Sequence, residues 1–238
     1  MNRYAYQDTK SLVKWLKYSM VIWLVVIILM LLTDIIYSTI IFNTKGITDG
    51  NVVLRYDKPS LIELIVVTFF PMVKILVTAL WAVFFLMWIY RSHANNWAFQ
   101  LQRLNYSPTM AALWFVIPIA NWVMGFLVLS EVFKASDPQS DVPGSNMTWE
   151  YSAPPSMIGP WWVGMIILGP FTMLPFVSSR VFGALGPIGV RMIELILFAI
   201  MVTLMFIIWR EAKELRELQE KKYRLIYPND QQGFAPVQ

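Results

Sequence analysis

Cysteine is absent from the 238-residue chain, which excludes disulfides, thiolate zinc sites, iron–sulfur clusters and a cysteine nucleophile. Histidine occurs once, as His93, so paired-histidine haem ligation and multi-histidine metal sites are excluded too. Charge is scarce: Asp, Glu, Lys and Arg make up 14% of residues, where soluble domains average about 25%. No Ser/His/Asp set, catalytic carboxylate pair or metal-ligand spacing stands out. Gly183, Gly186 and Gly189 follow no strand and carry no Lys-Ser/Thr pair, so they are not a phosphate loop. What is abundant is apolar: 57% hydrophobic and 15% aromatic residues, with a mean hydropathy of +0.54. That balance excludes a disordered chain and argues against a water-soluble globule. The net charge of +4 then points to anionic lipid headgroups, not nucleic acid.

A helix needs about 20 mainly apolar residues to cross a bilayer. Four segments qualify: about Tyr18–Phe42, Leu61–Tyr90, Met157–Val177 and Pro187–Trp209. They divide the chain into an N-terminal segment (1–17), a helical membrane domain (18–209) and a charged tail (210–238). The first span reads as an anchor, not a cleavable signal, because its apolar core is too long for one. A fifth apolar stretch, Met110–Phe133, is broken by Pro118, Asn121 and Gly125. If it returns to its starting side, thirteen Lys and Arg fall on one face and five on the other; if it crosses, the split is eight to ten. The positive-inside rule therefore favours an all-α integral membrane protein with four transmembrane helices plus a Pro/Asn-broken re-entrant or interfacial segment at 108–134. Five transmembrane helices are the alternative. The first fold places both termini in the cytoplasm.

Several local expectations follow. Asn43–Pro59 reads as an outer loop, and Ala135–Ser156, rich in Pro, Ser, Asp and Gly, as a mobile one. Arg91–Leu104 reads as a surface helix along the inner interface, carrying His93 at headgroup level. Trp149, Tyr151, Trp161 and Trp162 read as an aromatic belt. Arg210–Arg224 reads as a solvated extension of the last span, with spacing-four pairs such as Arg210–Glu214 and Lys213–Glu217. Inside the spans, Asp34, Lys74 and Glu194 each lie roughly 22 Å from the inner boundary at 1.5 Å per residue. With Arg191 one turn from Glu194, they form a charge-balanced layer, read as pairs that fix helix register.

Between Arg91 and Ser136 a denser pattern appears: Arg91 and Asn95; Ser107 and Pro108; Trp114, Phe115, Pro118 and Asn121; Glu131, Phe133, Ala135 and Ser136. Trp161–Trp162 and Gln219 follow later. This pattern resembles the bacterial membrane family known as domain of unknown function 4328. The sequence departs from it with Met110 where Trp is usual, Gly125 where a second Pro is usual, and Phe133 for Trp. The resemblance implies a multi-span bacterial inner-membrane protein and supplies no reaction. In physical terms, Asn121 is expected to satisfy backbone groups freed by Pro118, and Glu131 to pair with Arg91 or Arg103 at the inner boundary.

Together these readings give a non-enzymatic accessory or scaffold subunit of a larger membrane complex, without cofactor or metal. Its expected partners are membrane lipids and other proteins, and no nucleic acid. The alternative is a small transporter or channel-like protein using the intramembrane charges.

Overall fold

The computed structural model describes residues 4–44, 69–173 and 186–229, and among them the regular elements are all helical. In chain order these are α1 (Lys10–Thr44), α2 (Phe70–Ala98), α3 (Pro108–Leu113), α4 (Pro118–Ala135), α5 (Ile158–Met173) and α6 (Gly186–Ile226), with a short 3-10 turn at Trp149–Tyr151. The chain forms two compact units, Tyr18–Ala82, and Met1–Lys17 together with Val83–Gln238.

Three described helices are long and apolar enough to cross a membrane: Lys10–Thr33, Met72–Ala98 and Leu195–Ile226. Ile158–Leu168 is a shorter apolar helix. Large apolar side chains are left exposed along them, including Val25 and Leu29 on α1, Ile75 and Leu76 on α2, and Ile196 on α6. An apolar surface of this extent suits lipid, not water. Within Tyr18–Ala82, the Trp23 indole donates to the Thr78 hydroxyl at 3.1 Å. The Thr78 hydroxyl in turn bonds the Lys74 carbonyl at 2.8 Å. The two tryptophans there, Trp23 and Trp81, are buried.

The segment after α2 is a hairpin. The chain leaves α2 through Gln100 (φ 59°) and Arg103 (φ 62°), left-handed positions that turn it sharply. Ser107 then caps α3, its hydroxyl accepting from the Met110 amide at 3.3 Å, and Pro108 fills the first helical position. That is the physical meaning of the Ser-Pro pair: a cap, then a residue whose missing amide costs nothing there. After an irregular turn at 114–117, α4 starts at Pro118 and runs about 27 Å at 1.5 Å per residue. Its far end returns to its origin, because Glu131 accepts from the Asn105 and Tyr106 amides. The residues near the hairpin's turn, Val116, Ile117, Ile119, Trp122 and Val123, are exposed and apolar.

Several expectations need correction. Arg91–Ala98 is not a separate surface helix but the last two turns of α2, and His93 there is fully buried. The aromatic belt is not one. Trp161 and Trp162 are buried in a cluster with Phe85 and Phe115, Phe115 meeting Phe85 and Trp162 edge-on at 5.2 and 5.6 Å. Trp149 is buried elsewhere, beside Phe99 and Tyr223, while Tyr151 is exposed. The indole N–H groups explain the difference: Trp161 donates to the Leu204 carbonyl and Trp149 to the Gln102 carbonyl, so both rings are satisfied inside the protein. The 137–156 connection is pinned, with Ser152 donating to Asp137 and the Trp149 amide to Asp141. Finally, α6 continues to Ile226 as expected, yet one face of its extension is buried at Ala212, Leu215, Gln219 and Lys222. The Asn43–Pro59 loop, beyond Thr44, falls outside the described residues.

At Gly125, α4 passes directly against the Trp162 ring of α5. A Cβ there would run into the Trp162 ring and the Asn121 carboxamide oxygen. Gly125→Leu is therefore expected to push Trp162 aside and lower stability by about 1–3 kcal/mol, read by thermal unfolding in mild detergent. Gly164→Leu, against the more adaptable Leu204 side chain, is expected to cost less.

Candidate functional site

Polar side chains at the ends of α2, α4 and α6 converge on the segment preceding α1 and are almost completely withdrawn from solvent. Spacing explains how each helix contributes. Ser92, Asn95 and Asn96 share one face of the last turns of α2, Val132 and Ser136 one face of α4, and Gln219 and Lys222 one face of α6. All of these polar side chains are no more than 1% exposed.

Gln219 is the hub. Its carboxamide oxygen accepts from Asn95 Nδ2 at 3.0 Å. Its two Nε2 protons are shared among three acceptors, the Ser92 carbonyl (2.8 Å), Asn96 Oδ1 (3.1 Å) and Ser136 Oγ (3.0 Å). Asn95 extends the network to the N-terminal segment by a two-point bond. Its Nδ2 donates to the Gln7 carbonyl at 2.9 Å and its Oδ1 accepts from the Gln7 amide at 3.0 Å. Asn96 Nδ2 donates to the Val132 carbonyl at 3.0 Å, and Ser136 Oγ lies 2.7 Å from the same carbonyl and 2.9 Å from Asn96 Oδ1. Four separate stretches of chain are thereby joined through one buried amide group.

Two charged residues flank this hub. Glu131, 4% exposed, meets His93 Nε2 at 3.0 Å. It also accepts from the Asn105 amide (3.1 Å), the Asn105 side chain and the Tyr106 amide (3.4 Å). The carboxylate therefore closes the entry to the hairpin onto its exit. Lys222, fully buried, donates to the Ala135 carbonyl at 2.8 Å and the Ser140 hydroxyl at 3.3 Å. An ammonium at the last carbonyls of α4 is well placed against the helix dipole. Farther out, Arg216 meets Asp8 at 2.6 Å. Tyr6 stacks on Tyr223 with ring centroids 4.3 Å apart. Burial, with the Asp8 and Glu220 carboxylates nearby, pushes the Tyr6 phenol well up.

Of the residues singled out from sequence, Asn95, Ser136 and Gln219 meet in this network, and Glu131 lies beside it, bonded to His93, Asn105 and Tyr106. Pro108 and Pro118 start the two hairpin helices. Two expectations fail. Glu131 is held by His93 and Asn105 instead of an arginine, and Arg103 instead points to Glu150 at 3.9 Å. Asn121 does not repair the backbone at Pro118, because Pro118 occupies the first helical position, where no amide is needed. Its Oδ1 is buried without a hydrogen-bond partner, as is the Trp114 indole nitrogen. The side chains of Asp34, Arg191 and Glu194 lie outside the described residues, while Lys74 is half-buried on α2. Sequence reasoning missed His93, Asn96 and Lys222 as network members. The available signal was the adjacent Asn95–Asn96 pair and the spacing of Gln219 and Lys222 on one helical stripe.

Chemically, the arrangement binds itself. The Asn95, Asn96 and Gln219 carboxamides and the Ser136 hydroxyl are used on one another and on backbone groups, while Ser92 Oγ and His93 Nδ1 are buried without a hydrogen-bond partner. The described residues contain no group of three or more His, Asp or Glu that could hold a metal. Replacing Glu131 should therefore register as lost stability. Glu131→Leu leaves the Asn105 and Tyr106 amides and His93 without their acceptor, and is expected to cost at least about 3 kcal/mol at 1–3 kcal/mol per stranded group. Glu131→Gln keeps an acceptor oxygen and is expected to cost less than half of that. Thermal unfolding of the purified variants in detergent measures both.

The sequence pattern of the family described as "Domain of unknown function (DUF4328)" matches residues 62–220, about two thirds of the chain. No curated protein matches the chain, and no solved structure does. The matched region contains α2 to α5 and α6 as far as Glu220, and with them Asn95, Glu131, Ser136 and Gln219. On that match, the chain belongs to the DUF4328 family.

Proposed function

We propose that this protein is a non-enzymatic scaffold or accessory subunit of a bacterial inner-membrane assembly. One observation carries the reading: the Asn95, Asn96, Ser136 and Gln219 side chains are spent on one another and on backbone carbonyls, and the resulting network is buried to about 1% exposure around Gln219. A site built to process a substrate keeps convergent polar groups free to meet it. This one instead fixes the relative positions of several membrane helices, which is what an interaction surface needs.

The same reading includes four crossings, with the 108–135 hairpin entering and leaving on one side. Two features support it. Glu131 ties the end of the hairpin to Asn105 at its start, and Asp8 and Arg216 pair at 2.6 Å, which requires both to lie on one side of the membrane. The thirteen-to-five distribution of Lys and Arg makes that side the cytoplasm.

A tag following Gln238 provides the test. Native extraction from the source membrane, followed by mass spectrometry, is expected to recover a stoichiometric protein partner. In intact spheroplasts, protease added outside is expected to leave the tag uncut. A chain recovered alone that moves solute when reconstituted into vesicles would contradict the scaffold reading, and a tag cleaved from outside would contradict the topology.

A further inference from the structure

We propose that Arg91 is the phosphate-binding residue of an anionic-phospholipid site, in the groove between the segment leading into α1, the end of α2 and α3. The groove has a volume of about 610 Å³ and is lined by Gln7, Asp8, Ser11, Tyr90, Arg91 and Ala112, among others. That size is in the range of small-molecule sites.

Arg91 opens the sequence pattern that otherwise feeds the buried network, yet it takes no part in that network. Among the described residues no hydrogen bond or ion pair is made by its guanidinium, although the side chain is half-buried. Its expected partner, Glu131, is already occupied by His93, Asn105 and Tyr106. Asp8 is the other charged residue lining the groove, and both its oxygens are taken by Arg216, at 2.6 and 3.2 Å. The groove therefore holds one uncompensated positive charge. A half-withdrawn guanidinium without a counter-ion is costly, and a planar fork of donors matches a phosphate.

Position selects the source of that phosphate. The sixteen residues Ile75–Tyr90 between Lys74 and Arg91 carry no charge and span roughly 24 Å of helix at 1.5 Å per residue. Arg91 thus stands where the apolar run ends, at the depth of lipid headgroups. On the same groove, Leu12, Leu86 and Met87 are apolar, and Met87 is 49% exposed. Acyl chains can lie against that wall while Ser11, Gln7 and Tyr90 offer polar groups to the glycerophosphate. A free inorganic anion would use Arg91 but not the apolar wall.

The test is native mass spectrometry of the full chain released from nanodiscs of mixed phosphatidylglycerol and phosphatidylcholine. The wild-type chain is expected to retain phosphatidylglycerol selectively, at one per chain. Arg91→Gln is expected to reduce that retention roughly tenfold, the loss of about one charge-assisted contact. Ser11→Asp, an exposed position outside the buried network, adds a repelling charge and is expected to do the same. It carries the test should Arg91→Gln fail to fold. Equal retention of both lipids by the wild type would overturn the proposal, as would unchanged phosphatidylglycerol retention in a folded Arg91→Gln protein. Displacement of the lipid by inorganic phosphate at similar concentration would assign the groove to a soluble anion and overturn it too.

Discussion

A buried carboxamide imposes a strict condition on the structure around it, because each donor or acceptor left unmade away from water costs about 1–3 kcal/mol. Gln219 meets that condition only if α2, α4 and α6 end at one level and in one rotation about their axes. Its oxygen needs Asn95, and its nitrogen needs the Ser92 carbonyl, Asn96 and Ser136. Asn95 then fixes the backbone at Gln7. Apolar packing alone offers no such discrimination, since a lipid-facing helix loses little by rotating when lipid and neighbouring side chains are equally apolar. The polar network supplies the register that the spans lack.

The hairpin depends on the same condition. Short helices such as α3 are marginal by themselves. Here the entry is held by the Ser107 cap and by the Trp97 indole donating to the Tyr106 carbonyl at 2.9 Å, and the exit by Glu131 and Ser136. With both ends pinned, the apolar turn around Ile119 and Trp122 is left exposed. Lys222 completes the exit by meeting the Ala135 carbonyl, so the cation of α6 offsets the partial negative charge at the end of α4.

Much of this was readable from sequence because it is decided by composition and spacing. Hydropathy marks α1, α2 and α6 and the shorter α5, since about 20 apolar residues in a row have few other uses. Pro118 reads from sequence as a break in an apolar stretch, whereas it starts α4, where its missing amide costs nothing. What sequence could not show was which polar residues are buried. A lone His93 beside Arg91 reads as surface, and a charged helix such as Arg210–Arg224 reads as solvated, because each is judged against its own neighbours in the chain. Their burial depends on partners 38 residues away for His93 and 87 for Lys222. The assignment of Glu131 to an arginine failed for a related reason: counting charges finds opposite signs, whereas the structure satisfies this carboxylate largely with neutral amides.

The central claim is that the Gln219 hub couples α2 to α6, and a double-mutant cycle measures it most directly. Asn96→Ala, Gln219→Ala and the double variant are compared with the parent by reversible unfolding in mixed micelles. If the two side chains act through their shared bond and Ser136, the losses are non-additive, with a coupling of about 1–3 kcal/mol, as for residues in one hydrogen-bond network. Strict additivity, with a coupling within about 0.3–0.5 kcal/mol of zero, would mean that the two side chains act independently and that the helices are held by apolar packing instead.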